Sequence, residues 1–158
     1  MLSIRELRKI TNNPNPFTNL IYKHFFNIAK IPELEHTKIN IKKLLLSDDM
    51  MGLLVYDKND LVGYLIGEFK TLLNGRHVYH ISYMFILPEY RNRKIGTDLI
   101  NRLIKKCKIY KKHDSRMHIT LTCDTYNKKV YNFYIKNKFT IDRQLRTGKK
   151  HDVMSLKI

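Results

Sequence analysis

Three consecutive apolar stretches, residues 52–56, 61–72 and 77–87, are parted by the turn signals Lys58-Asn59-Asp60 and Asn74-Gly75, and directly after Pro88 the period becomes helical. Runs rich in branched and aromatic residues with such punctuation are strands. Asn-Gly between two of them marks a hairpin whose central residues would both take positive φ. Beyond Pro88, Leu99, Ile100, Leu103, Ile104 and Cys107 form one apolar stripe, with Arg102, Lys105 and Lys106 on the wet side. That is an amphipathic helix. Three strands followed by a one-faced helix must bury both apolar surfaces in layers.

The flanks extend the pattern. Residues 3–10 alternate well enough for a first strand. Pro16 stands where a helix would start, and Phe17, Leu20, Ile21, His24, Phe25 and Ile28 follow at helical spacing. The break at Ile31-Pro32 ends that helix, because proline disfavours the helical conformation at the residue before it. A second short helix is expected over 37–46. Downstream, 116–123 alternates as a strand, and Val130, Phe133, Tyr134 and Asn137 fall on one helical face. Two strands, 139–144 and 152–158, close the chain around a turn containing Gly148. The order is strand, two helices, three antiparallel strands, helix, strand, helix, two strands. It predicts an α/β (α+β) fold with a mixed, mostly antiparallel central sheet and helices on both faces. No repeat or linker divides the 158 residues, so a single domain over 1–158 is expected.

Composition narrows the function classes. Hydrophobic residues make up 43% of the chain, too many for disorder. No apolar run approaches the roughly 18–20 residues that span a bilayer, and the start, Met1-Leu2-Ser3-Ile4-Arg5, lacks a signal peptide's apolar core. The two cysteines, Cys107 and Cys123, form no CxxC pair or Cys/His cluster with zinc spacing. Buried thiols in a cytoplasmic or nuclear protein without a metal site are expected, with no membrane partner. Lys and Arg number 30 against 14 acidic residues, a net charge of +16. Such a surface draws polyanions, whether nucleic acid, acidic membranes or phosphorylated small ligands. A lysine- and asparagine-rich bias spread over solvated faces explains the same charge.

Chemistry concentrates in Leu87-Pro88-Glu89-Tyr90-Arg91-Asn92-Arg93-Lys94-Ile95-Gly96-Thr97-Asp98-Leu99-Ile100. A strand ends, a basic turn follows, and a helix begins beside Gly96. The first turn of a helix carries unpaired N–H groups and partial positive charge, a ready seat for phosphate oxygens. Arg91, Arg93 and Lys94 add charge, and Gly96 lets the backbone approach a ligand. A turn that merely caps a helix would look similar.

Pro88-Glu89-Tyr90-Arg91, Ile95-Gly96 and Leu99-Ile100 together resemble the acetyl-CoA signature of the GNAT superfamily of N-acetyltransferases. The family pattern is Arg/Gln-x-x-Gly-x-Gly/Ala, between the fourth strand and the third helix. Arg91 and Gly96 match its first and last positions; Lys94 stands where the family usually has its first glycine. If that position requires positive φ, lysine costs about 1–2 kcal/mol there. A second segment, Asn127-Lys128-Lys129-Val130-Tyr131-Asn132-Phe133-Tyr134-Ile135-Lys136-Asn137-Lys138-Phe139, is similar to the family's Asn-x-x-Ala-x-x-Phe-Tyr-x-x-x-Gly-Phe element, with Lys138 replacing the glycine.

The resemblance implies an N-acetyltransferase that takes acetyl-CoA as donor and lets a primary amine attack directly in a ternary complex. Its cofactor-binding residues would be Met84, Phe85, Ile86, Arg91, Asn92, Arg93, Lys94, Ile95, Gly96 and Thr97. Asn127 would bond the pantetheine arm, and Tyr134 would lie near the sulfur. A backbone N–H of Met84 or Phe85 would stabilise the oxyanion. Tyr134 is the candidate general acid, its phenol protonated at neutral pH; a core aromatic is the alternative. His80 is the first candidate base, on the strand face shared with Ser82, Met84 and Ile86, with an imidazole pKa of about 6.5. A structural histidine in a half-buried strand fits that position equally well. Glu33 and Glu35, expected in the loop between two helices, are weaker candidates, as is Glu68; Thr122 is a further residue that would line the site.

The acceptor stays open between a protein or peptide amine and a small molecule. By resemblance, the basic turn over 143–151, with Arg143, Arg146, Lys149, Lys150 and His151, would cover the acceptor groove and favour acidic peptides or phosphorylated acceptors over polyamines. The rival is a GNAT-fold binding protein with little catalysis that uses its charge on nucleic acid or the ribosome. Monomer and dimer are both compatible with the sequence.

Overall fold

The computed structural model describes residues 1–26, 32–111, 116–124, 127–145 and 151–158. Its elements run β1 (Leu2–Leu7), α1 (Asn15–Phe26), α2 (Pro32–Leu46), β2 (Met50–Asp57), β3 (Asp60–Thr71), β4 (His77–Ile86), α3 (Ile95–Tyr110), β5 (Met117–Asp124), α4 (Lys128–Lys136), β6 (Thr140–Ile141) and β7 (His151–Lys157). This is the order expected from the sequence. The strands form one sheet in the order β1-β2-β3-β4-β5-β7-β6. β4 and β5 are parallel, whereas β1–β2, β2–β3, β5–β7 and β6–β7 are antiparallel. No described helix is long and apolar enough to cross a membrane.

Several boundaries differ from expectation. α2 begins at Pro32 rather than near residue 37. Proline suits a helix start, where its missing N–H would have no partner anyway. Glu33 and Glu35 therefore lie on a helix, not in a loop, and their side chains fall outside the described residues. In the β3–β4 hairpin only Gly75 has positive φ, at 81°; Asn74 does not. Leu72 O accepts from Gly75 N–H at 2.9 Å, and Asn74 Oδ1 accepts from Arg76 N–H at 3.0 Å. This is a three-residue loop with a left-handed glycine closing it, not the two-residue turn. β6 spans only Thr140–Ile141, because Arg143–Leu145 winds into a short 3-10 turn. Gly148 and the end of the predicted first helix, Ile28, lie outside the described residues.

The chain divides into two compact units, Met1–Glu68 with Tyr83–Phe85, and Phe69–Ser82 with Ile86–Ile158. In the first, β1 pairs with β2 from Leu2↔Asp57 to Leu7↔Gly52. A Cβ at Gly52 would sit 3.2 Å from Leu65 O and 3.3 Å from the Ile66 side chain, so this crowded sheet position is reserved for glycine. Ile21, Ile41, Leu44, Leu45, Met50, Leu54, Tyr64 and Ile66 form its core, with Phe17, Tyr22, Tyr83 and Phe85 packed against it.

In the second unit β5 is central. It pairs with β4 from His77↔Met117 to Ile81↔Leu121 and with β7 from His118↔Lys157 to Asp124↔His151. The predicted α3 stripe is buried at Leu99, Ile100, Leu103 and Cys107, while Ile104 is half-buried. Cys107 and Cys123 are buried thiols that form no disulfide. Burial pushes the Cys107 thiol up to about 12, which makes it inert filler.

α4 ends in a Schellman turn. Phe139 N–H donates to Tyr134 O at 3.0 Å and Lys138 N–H donates to Ile135 O at 3.0 Å. The Phe139 and Tyr134 rings meet at 5.4 Å, the apolar contact this motif favours. The geometry requires a left-handed residue, and Lys138 supplies it at φ 74°. Lys138→Gly is therefore expected to stabilise the protein by about 0.5–1 kcal/mol, since the left-handed penalty of about 1–2 kcal/mol exceeds the extra unfolded-state entropy of glycine. An unchanged urea midpoint would show that the left-handed lysine costs no more than the extra unfolded-state entropy of glycine.

Candidate active site

The turn from β4 to α3 is built as the sequence suggested. β4 stops at Ile86, Pro88–Tyr90 forms a 3-10 turn, and α3 begins at Ile95. Arg91 Nε–H donates to Ile86 O at 2.8 Å, folding the side chain back onto the strand end. The Arg93 guanidinium lies over the Tyr90 ring at 5.1 Å. Asn92 and Lys94 both take left-handed backbone, with φ 63° and 62°. The residue at the family's glycine position thus adopts the conformation for which glycine is used. Lys94 is also the N-cap of α3, and it makes no side-chain capping bond. The first turn of α3 therefore presents N–H groups without a side-chain cap, beside exposed Arg91, Arg93 and Lys94. Ile95 and Gly96 are buried, and Thr97 is half-buried.

The β4–β5 ladder ends at Ile81↔Leu121, while β4 runs on to Ile86 and β5 to Asp124. Met84, Phe85 and Ile86 are half-buried on that continuing stretch. On the paired part, His80 Nδ1 and Thr120 Oγ1 share a hydrogen bond of 2.8 Å. His80 is half-buried, Thr120 fully buried and Thr122 exposed. Glu68 is half-buried near the end of β3.

On α4 the sequence-chosen residues separate. Asn127 is the N-cap, its Oδ1 accepting from Val130 N–H at 3.3 Å; the asparagine has a structural duty whatever else it binds. Tyr134 is buried, 7% exposed, between the Phe133 and Phe139 rings. Burial first, and the nearby Cys123 second, raise its phenol well above the ordinary tyrosine value. Val130, which shares one helical face with Phe133, Tyr134 and Asn137 in the sequence, is 41% exposed. In the final hairpin Arg143 is exposed, while Arg146, Lys149 and Lys150 fall outside the described residues.

Two features went unnoticed in the sequence. One is the contact of Arg76 with Asp142, far apart in the chain. The other is His24, which reads as one more member of the α1 stripe. Nδ1 of His24 is 2.9 Å from Tyr64 Oη, and its ring stacks on Phe85 at 4.0 Å. A histidine among aromatics at helical spacing was the available signal.

The match to known proteins agrees with this geometry. The model of the acetyltransferase (GNAT) family matches residues 15–139. The chain belongs to that family. No curated protein sequence matches it. Among solved structures it is similar to NAA60 of Arabidopsis thaliana in complex with acetyl-CoA, at 13% identity and TM-score 0.71, covering 100% of this chain and 99% of that one. It is similar to the PaiA N-acetyltransferase of Thermoplasma acidophilum in complex with coenzyme A, at 19% identity and TM-score 0.69, with coverage of 100% and 99%. A third is Naa50 of Arabidopsis thaliana in complex with the bisubstrate analogue CoA-Ac-MVNAL, at 18% identity, TM-score 0.65 and coverage of 99% of each chain.

Proposed function

We propose that the protein is an acetyl-CoA-dependent N-acetyltransferase that acetylates a primary amine of a peptide or protein by direct attack, with both substrates bound together. The observation that carries this is the start of α3: a left-handed N-cap at Lys94, first-turn N–H groups with no side-chain cap, and three exposed cations. These groups suit a pyrophosphate, so the residues fit the cofactor. Acetyl-CoA supplies an activated thioester carbonyl.

The chain's own groups are assigned as follows. Arg91, Asn92, Arg93, Lys94, Ile95, Gly96 and Thr97 hold the phosphates, and Met84, Phe85 and Ile86 offer backbone groups to the pantetheine arm. An N–H of Met84 or Phe85 receives the negative charge that develops on the carbonyl oxygen. Asn127 steadies the pantetheine, and Tyr134 gives its proton to the leaving sulfur. The raised phenol pKa keeps that proton in place at neutral pH. The proton acceptor is a histidine, either His80 or His24. The family match crosses both compact units, which supports one catalytic domain over 1–158. The peptide-bearing analogue bound by Naa50 supports a peptide acceptor. The exposed Arg143 supports an acidic one. A cytoplasmic place belongs to the same proposal.

Titration calorimetry with acetyl-CoA, followed by turnover on a free-amine peptide, kanamycin and spermidine, tests it. Saturable binding lost in Arg91→Ala and turnover on the peptide are expected. The net charge of +16 motivates the rival nucleic-acid or ribosome binder. Salt-dependent binding to RNA without any acetyl-CoA affinity would select that rival.

A further inference from the structure

The first unit holds an imidazole in an aromatic surround. His24 lies in the last turn of α1. Its Nδ1 meets Tyr64 Oη of β3 at 2.9 Å, and its ring lies nearly parallel to Phe85 of β4, with centroids 4.0 Å apart and planes 11° apart. Phe25 packs on Tyr83 at 5.4 Å and on Phe85 at 5.8 Å, while remaining 37% exposed. The imidazole is half-buried, and among the described residues Nε2 has no hydrogen-bond partner.

We propose that His24, anchored through Nδ1 by Tyr64 and stacked on Phe85, takes the proton from the acceptor's ammonium group. This rests on the transferase reading above and names the base of that site. The phenol oxygen of Tyr64 can accept from Nδ1–H, which leaves the Nε2 lone pair available. Tyr64 is then a positioning residue. The faces of Phe85, Tyr83 and Phe25 attract the substrate ammonium.

The proton balance closes. An N–H bond of the ammonium breaks and the Nε2–H bond forms, giving a neutral amine and an imidazolium. The amine's next proton leaves as the amide forms, the departing sulfur takes up one proton, and His24 returns its own to solvent. Around the ring, among the described residues, the titratable and charged neighbours are Lys23 on its own helix, Tyr64 on β3 and Tyr83 on β4; α2 brings Lys38, which lies over the Tyr22 ring. Burial first, and Lys23 second, hold the His24 pKa below the usual histidine value. Burial first, and Tyr83 second, hold the Tyr64 phenol far above its own. His24 is thus neutral, and Tyr64 protonated, at pH 7.

Two readouts test this. Nitrogen NMR of the histidine rings in the protein without cofactor should show His24 neutral at pH 7 in the Nδ1–H tautomer, and Tyr64→Phe should shift the balance toward Nε2–H. A dominant Nε2–H tautomer in the wild type overturns the proposal. In the acetyl-transfer assay on the free-amine peptide, His24→Asn, which keeps a group that can bond Tyr64, should lower kcat/KM roughly 100-fold at pH 7. The loss should shrink above about pH 8, where an α-amine deprotonates unaided. His80→Gln should lose less. A folded His24→Asn protein with wild-type kcat/KM, or a larger loss in His80→Gln, overturns the assignment to His24 and leaves the transferase reading standing. A wild-type protein that binds acetyl-CoA yet acetylates none of the three amines removes both.

Discussion

Arg76→Ala is expected to destabilise the protein by about 3 kcal/mol, the usual scale for breaking a nearly buried ion pair. Arg76 Nη1 donates to Asp142 Oδ2 at 2.5 Å and Nη2 donates to Gln144 Oε1 at 2.9 Å. The two charged side chains are 12% and 8% exposed, so water cannot replace the lost partner. Through these bonds the β3–β4 hairpin is tied to the chain just past β6. Burial disfavours the Asp142 carboxylate, but hydrogen bonds from Arg76 and Ser155 outweigh it and hold the carboxyl below the usual aspartate range. The sign follows. A depressed folded pKa means that this stability is fully present above the unfolded value of about 3.9 and is lost as pH falls through the folded one. His118 is held below the usual histidine pKa by burial and then by Arg76, and among the described residues its buried Nδ1 has no hydrogen-bond partner. Asp142→Asn removes the carboxylate that pairs with the Arg76 guanidinium. Urea unfolding of the two single variants and the double variant would measure the pair. A cost under about 1 kcal/mol for Arg76→Ala would place it in the class of solvated surface pairs.

For Tyr134→Phe the expected outcome is turnover reduced roughly 100-fold, with acetyl-CoA affinity and fold retained. Phenylalanine keeps the ring contacts with Phe133 and Phe139, so the change is confined to one hydroxyl. The buried phenol holds its proton across the working pH range. Rapid-mixing turnover at saturating acetyl-CoA, with calorimetry on the same preparation, separates the two effects. Unreduced turnover would leave Tyr134 as a core ring and nothing more.

The sequence told more about elements than about their ends. Periodicity located α3 because a stripe at Leu99, Ile100, Leu103 and Cys107 has only one way to be buried. Punctuation located the β3–β4 turn but not its type. That type depended on whether Asn74 would turn left-handed or use its side chain on Arg76 N–H. Helix α2 starts at Pro32, ahead of the expected residue 37, because a proline that stops one helix also suits the start of the next. The fate of the family-glycine positions was legible in a different way. Motif spacing marked Lys94 and Lys138 as standing in family-glycine positions, and the structure gives both positive φ.

The site was legible where it is local in the chain. The turn after β4 follows from neighbouring residues, because a strand end, a left-handed N-cap and a helix start are set by short-range backbone geometry. Its cations were visible as a string of letters. What the sequence by itself determined is therefore the order of elements, the GNAT resemblance and the candidate phosphate seat. Only the tertiary structure decided which side chains meet across long separations. It paired Arg76 with Asp142, joined His80 to Thr120, and set His24 between Tyr64 and Phe85. The physical reason is that periodicity reports which face a residue occupies, whereas hydrogen bonding and burial depend on what the fold places opposite that face.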